Sequence, residues 1–211
     1  VAKAVLARDN IAVFAYTLEL GGIRAVQMDM QEVRQNMLGC PDPEAARQME
    51  ERLSAVKAAG DSLGGIVEVR ASGVPAGLGE PVFAKLDAEI ARALMSIGAV
   101  KGVEIGDGFQ VTGRLGSQNN DPLTPDGFAT NHAGGILAGI SNGDEIIARV
   151  AVKPIPSIGM EQKTVDRQCN PVTVTTRGRH DISAIPRINV VCEAMLCLVL
   201  VDHLLRQKAI T

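Results

Sequence analysis

The sequence predicts an α+β fold in one domain spanning residues 1–211. Three observations lead there. Short runs rich in β-branched and aromatic residues, such as Ile11–Leu20 and Gly65–Ser72, are interspersed with helical stretches that carry start and stop signals. The apolar share is 46%, with no Trp, one Tyr and four Phe, so the core must be aliphatic. The chain is long enough to bury a substantial core, and it shows no internal repeat, low-complexity tract or clear linker.

In order, Val1–Ala7 reads as the last turns of a helix, and Asp9-Asn10 as a turn. Ile11–Leu20 is a strand stopped by Gly21-Gly22. Asp42-Pro43-Glu44 is a helix start: a capping carboxylate, Pro at the first helical position, and an acid in the first turn. That helix should end near Ala59, with Met49, Leu53 and Val56 as a narrow apolar stripe. Gly65–Ser72 is a second strand, followed by an irregular loop over 73–81. A helix then opens at Pro81 and runs to Ile97, with Phe83, Leu86, Ile90, Leu94 and Ile97 at helical spacing. Ala99–Ile105 is a third strand. The stretch 114–131 is polar and holds two prolines, so it is expected to be a mobile loop. Pro171–Thr176 is a short strand. The last element is a helix from about Pro186 to Lys208, apolar nearly all round and therefore expected to be buried.

The stretch 131–157 organises the rest. Asn142-Gly143 lies between the apolar runs Ile136–Ile140 and Ile146–Val152, which predicts a type I′ hairpin. Gly134-Gly135 permits close backbone approach. Lys153-Pro154-Ile155-Pro156-Ser157 ends the second strand with a cation and two residues that cannot donate to a ladder. A plain hairpin with a stiff exit explains this equally well.

Composition removes several function classes. Lys plus Arg is 21 against 24 acids, a net charge of −3, so no global basic field invites nucleic acid. Cys40, Cys169, Cys192 and Cys197 lack CxxC spacing and read as reduced thiols of a cytoplasmic protein. Val190–Val201, interrupted by Glu193, is too short for a membrane span. His132, His180 and His203 lack metal-ligand spacing, so no metal is expected. No Walker, GxSxG or dinucleotide signature is present. Lys153, Arg177, Arg179 and Arg187 succeed one another through Gly- and Pro-rich sequence. They could form one anion-binding patch or simply be solvated. Asp202 sits in an apolar stretch near a helix C-terminus, where the dipole opposes it; a surface pair with Arg206 is the bland explanation.

Taken together, these residues resemble the chorismate synthase family of bacterial type. GVPAGLGEPVFAKLDAEIARALMSIGAVKGVEIGDGF, GSQNNDPLTPDGFATNHAGGILAGISNG, KPIPSI, GRHD and EAMLCLVLVDHLL keep that family's order and spacing across essentially the whole chain. The resemblance implies a β-α-β sandwich of antiparallel sheets around helices, in a homotetramer. It also implies 1,4-anti elimination of phosphate from 5-enolpyruvylshikimate 3-phosphate, giving chorismate with reduced FMN and no net redox change. Flavin contacts carry over onto Gly98, Ala99, Ala138, Lys153, Pro154, Ile155, Pro156, Ser157 and Arg179. Arg187 corresponds to a substrate-gripping arginine, and Asp202 to the catalytic aspartate. Gly98 stands where Asn is frequent, Ala138 where Gly is frequent, and Pro156 where Ser is usual. The family's N-terminal histidine motif, paired arginines and a further flavin segment are absent. An incomplete form with little turnover is therefore expected. The alternatives are a non-catalytic FMN-binding or assembly core and, more remotely, an NADPH-dependent flavin reductase.

Overall fold

Alternation along Gly65–Ser72 decides the architecture. Val67, Val69 and Ala71 are fully buried on one side, while Ile66, Glu68, Arg70 and Ser72 face the other. In the computed structural model, which describes residues 1–210, this stretch is the middle of a five-stranded antiparallel sheet. The elements are α1 (Ala2–Leu6), β1 (Ala12–Leu20), β2 (Ile23–Arg24), α2 (Pro43–Ala58), β3 (Gly65–Ser72), α3 (Leu86–Met95) and β4 (Val100–Ile105). Next come α4 (Gly116–Asn119), β5 (Leu123–Thr124), β6 (Gly127–Phe128), β7 (Ile136–Leu137), β8 (Ile140–Ser141), β9 (Ile146–Val152), β10 (Gln162–Val165), β11 (Pro171–Val174) and α5 (Ile185–Ile210). The sheet order is β2-β1-β3-β9-β4, and three two-stranded ribbons stand beside it.

The α+β expectation holds. Of the sandwich, the described residues supply one five-stranded sheet and the helices against it: α5 lies on β1 and β3, α3 on β4, and α1 on α5. β1, β3, β4 and α2 fall close to where the sequence places them. Asp42 does more than cap α2. Its carboxylate accepts from the amides of Glu44 and Ala45 and also from those of Val26 and Gln27, tying the incoming loop to the helix start.

Four expectations are corrected, and one strand is added. The hairpin is not at Asn142-Gly143: β7 pairs with β8 around Ala138-Gly139, both with positive φ (53° and 84°). Asn142 instead closes a side-chain turn on the Asp144 amide, 3.0 Å, and β9 pairs with the distant strands β3 and β4. α3 starts at Leu86 rather than Pro81, because Glu80 and Ala84 exchange both backbone hydrogen bonds, 2.9 and 3.2 Å, in a tight turn. The stretch 114–131 holds α4 and the β5–β6 ribbon. β10, which the sequence pattern did not predict, pairs with β11. Finally, α5 is buried on one side only. Ile185, Ile188, Cys192, Leu196, Leu200 and Leu204 face the sheet, whereas Val190, Leu198 and Leu205 remain exposed. By length and composition alone α5 could cross a membrane; its inner stripe here is the core of the domain.

The outer face of the sheet carries a polar row. Cross-strand register sets Tyr16 opposite Glu68, Glu68 opposite Arg149, and Arg149 opposite Glu104. Glu68 is 3% exposed. It accepts from Tyr16 Oη, from Arg70 Nε at 2.7 Å and from Arg149 Nε at 2.8 Å, so the buried charge is matched by cations and donors. Burial and the Glu68 carboxylate push the Tyr16 phenol well above its ordinary value. Burial alone would raise the Glu68 carboxyl, but Tyr16, Arg70 and Arg149 outweigh it and hold it below the usual range.

Candidate functional site

The carried-over positions fall at two ends of the sheet. At one end, the Lys153 amide donates to the Ala99 carbonyl at 3.0 Å, which joins the exit of β9 to the turn between α3 and β4. Ala99 holds a positive φ of 71° there. Space around Gly98 is open, so the missing side chain leaves room at that turn. Ser62 Oγ donates to the Ile155 carbonyl at 2.7 Å, and the Leu63 amide donates to the Ile182 carbonyl at 2.8 Å. Those two bonds bring Ile155 and Ile182 to the same edge, by way of the adjacent residues Ser62 and Leu63. Lys153, Pro154, Pro156, Ser157, Arg177 and Arg179 are exposed. Lys153, Arg177 and Arg179 have no ion-pair partner among the described residues. Arg187 is held by Asp181 through two bonds, 2.7 and 2.9 Å. A cavity of about 240 Å³ beside them is lined by Lys57, Ser54, Ile182, Ser183 and Pro186.

Ala138 is at the other end. It is exposed in the β7–β8 turn, and the neighbouring Gly139 carbonyl receives the Leu86 amide at 2.8 Å, at the start of α3. Gly98-Ala99 lies beyond the far end of that helix. α3 is ten residues long, about 15 Å at 1.5 Å per residue. Along β9, Ile146 and Lys153 are separated by about 24 Å at strand rise. Asp202 is also at the Ala138 end. Its partner Arg206, 2.7 Å away, lies 3.9 Å from Glu80, in the loop packed against Gly139. The helical i,i+4 pair is therefore present, and Asp202 is exposed rather than enclosed among apolar groups.

The structure thus gathers Gly98, Ala99 and Lys153–Ser157, with Ile182, between Arg179 and Arg187 in sequence, bound to the neighbouring Leu63, and it separates Ala138 and Asp202 from them. Sequence reasoning passed over Asp181, the carboxylate that does sit among the cations; its place in GRHD, six residues before Arg187, was the available signal. It also passed over the outer polar row, legible as Glu68 and Arg70 at alternate positions of one strand. Three of the four thiols, Cys40, Cys192 and Cys197, are buried, and burial pushes Cys192 up to about 12; Cys169 is exposed.

The family model for chorismate synthase matches residues 1–205. The chain belongs to the chorismate synthase family. A chorismate synthase from Desulfosudis oleivorans is 69% identical over all 211 residues, which cover 60% of that protein. One from Desulfatibacillum aliphaticivorans is 60% identical over the whole of this chain and 59% of its own length. A solved structure described as a crystal structure of chorismate synthase superposes with a TM-score of 0.81 at 33% identity, covering 98% of this chain and 60% of that one. The chain therefore spans about 60% of the length of these chorismate synthase relatives.

Proposed function

We propose that this chain is a core portion of a chorismate synthase, a carbon–oxygen lyase of the shikimate pathway, working in the cytoplasm on 5-enolpyruvylshikimate 3-phosphate. The observation that carries the reading is the family match over residues 1–205. In the reaction the bond from ring carbon to phosphate oxygen breaks and phosphate keeps the electron pair. A ring C–H bond also breaks: its pair forms one new ring double bond, the existing ring double bond shifts to the carbon that loses phosphate, and the proton passes to a base. Reduced FMN, when bound, supplies electron density beside the ring with no net oxidation.

Substrate and flavin are both anionic, and the exposed cations Lys153, Arg177 and Arg179 suit that charge inside a net acidic chain. Lys153 to Ser157 would hold the flavin along its edge with Gly98 and Ala99, Arg179 would bind its anionic part, and Arg187 would grip the substrate. Ala138 and Asp202 reach the same ligand when a second copy brings its opposite end to these cations, which supports a homo-oligomer. Asp202 would then assist proton transfer across that contact. Asp181 is the carboxylate that one copy supplies on its own.

The 60% coverage favours a second reading: a non-catalytic FMN-binding or assembly core. One experiment separates the two. Residues 1–205 replace the matching part of the Desulfosudis oleivorans protein, and the hybrid is mixed anaerobically with reduced FMN and 5-enolpyruvylshikimate 3-phosphate. Chorismate formation by the hybrid, with little by the 211-residue chain, is expected. A folded hybrid that binds FMN and makes no chorismate would overturn the lyase reading.

A further inference from the structure

Residues 107–132 leave the end of β4 and return just before the loop that carries Gly134, Gly135 and Ala138. The two stems of this excursion are locked together. The Asp107 amide donates to the His132 carbonyl at 2.9 Å, and His132 Nδ1 lies 2.6 Å from Asp107 Oδ2. The same nitrogen lies 2.8 Å from Arg114 Nη1, so Nδ1 faces both the acceptor and the donor of the clasp. The Arg114 guanidinium donates to the same carboxylate oxygen. Asp121 fixes the returning stem. Its oxygens accept from the His132 amide at 2.8 Å, the Ala133 amide at 2.9 Å and Thr130 Oγ1 at 2.7 Å.

The glycine loop beyond His132 is held just as closely. Asn131 donates to the Glu145 carbonyl and accepts from the Gly135 amide, each at 2.7 Å. A side chain on Gly134 would start 2.3 Å from the Gly106 nitrogen, and one on Gly106 would start 2.2 Å from the His132 carbonyl oxygen. The backbones touch, so a shift of His132 is transmitted to the Gly134–Gly139 run.

We infer that Asp107 and His132, braced by Arg114 and Asp121, are positioning residues that preset the Gly134–Gly139 loop and its exposed Ala138 turn for the ligand. The inference rests on the proposed function only for the identity of that ligand, FMN. The role of His132 is to hold Asp107 and Arg114 through Nδ1. Its Nε2 is not required.

Side-chain amides separate those nitrogens. In His132→Asn the amide nitrogen takes the place of Nδ1; in His132→Gln it takes that of Nε2. Hydrogen exchange is read at residues 134–139, with the β3 amides of Val67–Ala71 as the control for an intact fold. Asp107→Ala and His132→Gln are expected to speed exchange at 134–139 about tenfold while β3 stays protected, and His132→Asn is expected to keep the wild-type rate. Rescue by His132→Gln and not His132→Asn, or unchanged exchange in every variant, would overturn the inference. FMN titration of the same proteins should show the same order, with affinity about tenfold weaker in the two disruptive variants. If the wild type binds no FMN, the flavin reading fails, and the exchange rates still decide the clasp.

Discussion

Where β9 begins, Gly134 and Gly135 are buried, Asn131 and Asp121 satisfy their surroundings, and Arg70 and Arg149, held by Glu68, brace the sheet by donating onward to Glu145 and Gly106. Where β9 ends, Lys153, Arg177 and Arg179 stand exposed and without an ion-pair partner among the described residues, and the flanking β10–β11 ribbon has every residue exposed. One end is organised in advance by backbone contacts and internal hydrogen bonds. The other presents charge that an anion would organise. Substitutions inside the first end should therefore loosen that end, with flavin affinity falling as a consequence, and those at the second should cost affinity alone.

The largest expected effect is at the polar row. Glu68→Ala leaves Arg70 and Arg149 without their shared carboxylate, and urea unfolding should show a loss of about 3 kcal/mol. Gly134→Ala meets both a positive φ of 65° and a backbone atom 2.3 Å away; calorimetry should show a loss of about 2 kcal/mol.

Acid should open the two ends in order. Burial would raise the Asp107 carboxyl, but Arg114 and His132 outweigh it and hold it low; Asp121 is likewise held low against burial by Thr130 and the amides of Ala133 and His132. A lowered value in the fold means the charged form is the preferred one. Its stabilisation is complete above the ordinary aspartate range, near about 4, and is lost as pH falls through the lowered values. Exchange at residues 131–139 should accelerate over that acid window before exchange at Lys153–Ser157 changes its pH profile. The smallest effect belongs to Asp202→Asn, which removes one exposed helical pair and should shift unfolding by about 0.3 kcal/mol.

The same contrast explains what the sequence could disclose. β3 was legible to the residue because strand alternation and its flanking glycines are local signals, and so was the Asp42 cap. The β7–β8 turn was not. Ala138-Gly139 is an unusual turn pair, and Asn142-Gly143, the stronger local signal, is diverted by the Asn142 side chain and by β9 finding β3 and β4 far away in sequence. α5 read as wholly buried because composition reports hydrophobicity without reporting which side meets the sheet. The cationic series was visible as residue types, yet only the pairing of Ile182 with Leu63 and of Ile155 with Ser62 shows that its neighbours Ile155 and Ile182 share an edge. The separation of Ala138 and Asp202 from that edge required the length of α3 and the direction of β9, which no motif encodes.

The central claim is that the two ends serve one flavin across two copies. An Arg179→Ala chain and an Ala138→Glu chain, each expected to bind FMN poorly, would be unfolded together, refolded as a mixture and titrated with FMN. Random pairing places one intact composite site in each mixed pair, so the mixture should recover about a quarter of the wild-type capacity. Wild-type binding by either variant alone, or no recovery in a mixture that has assembled, would contradict the account.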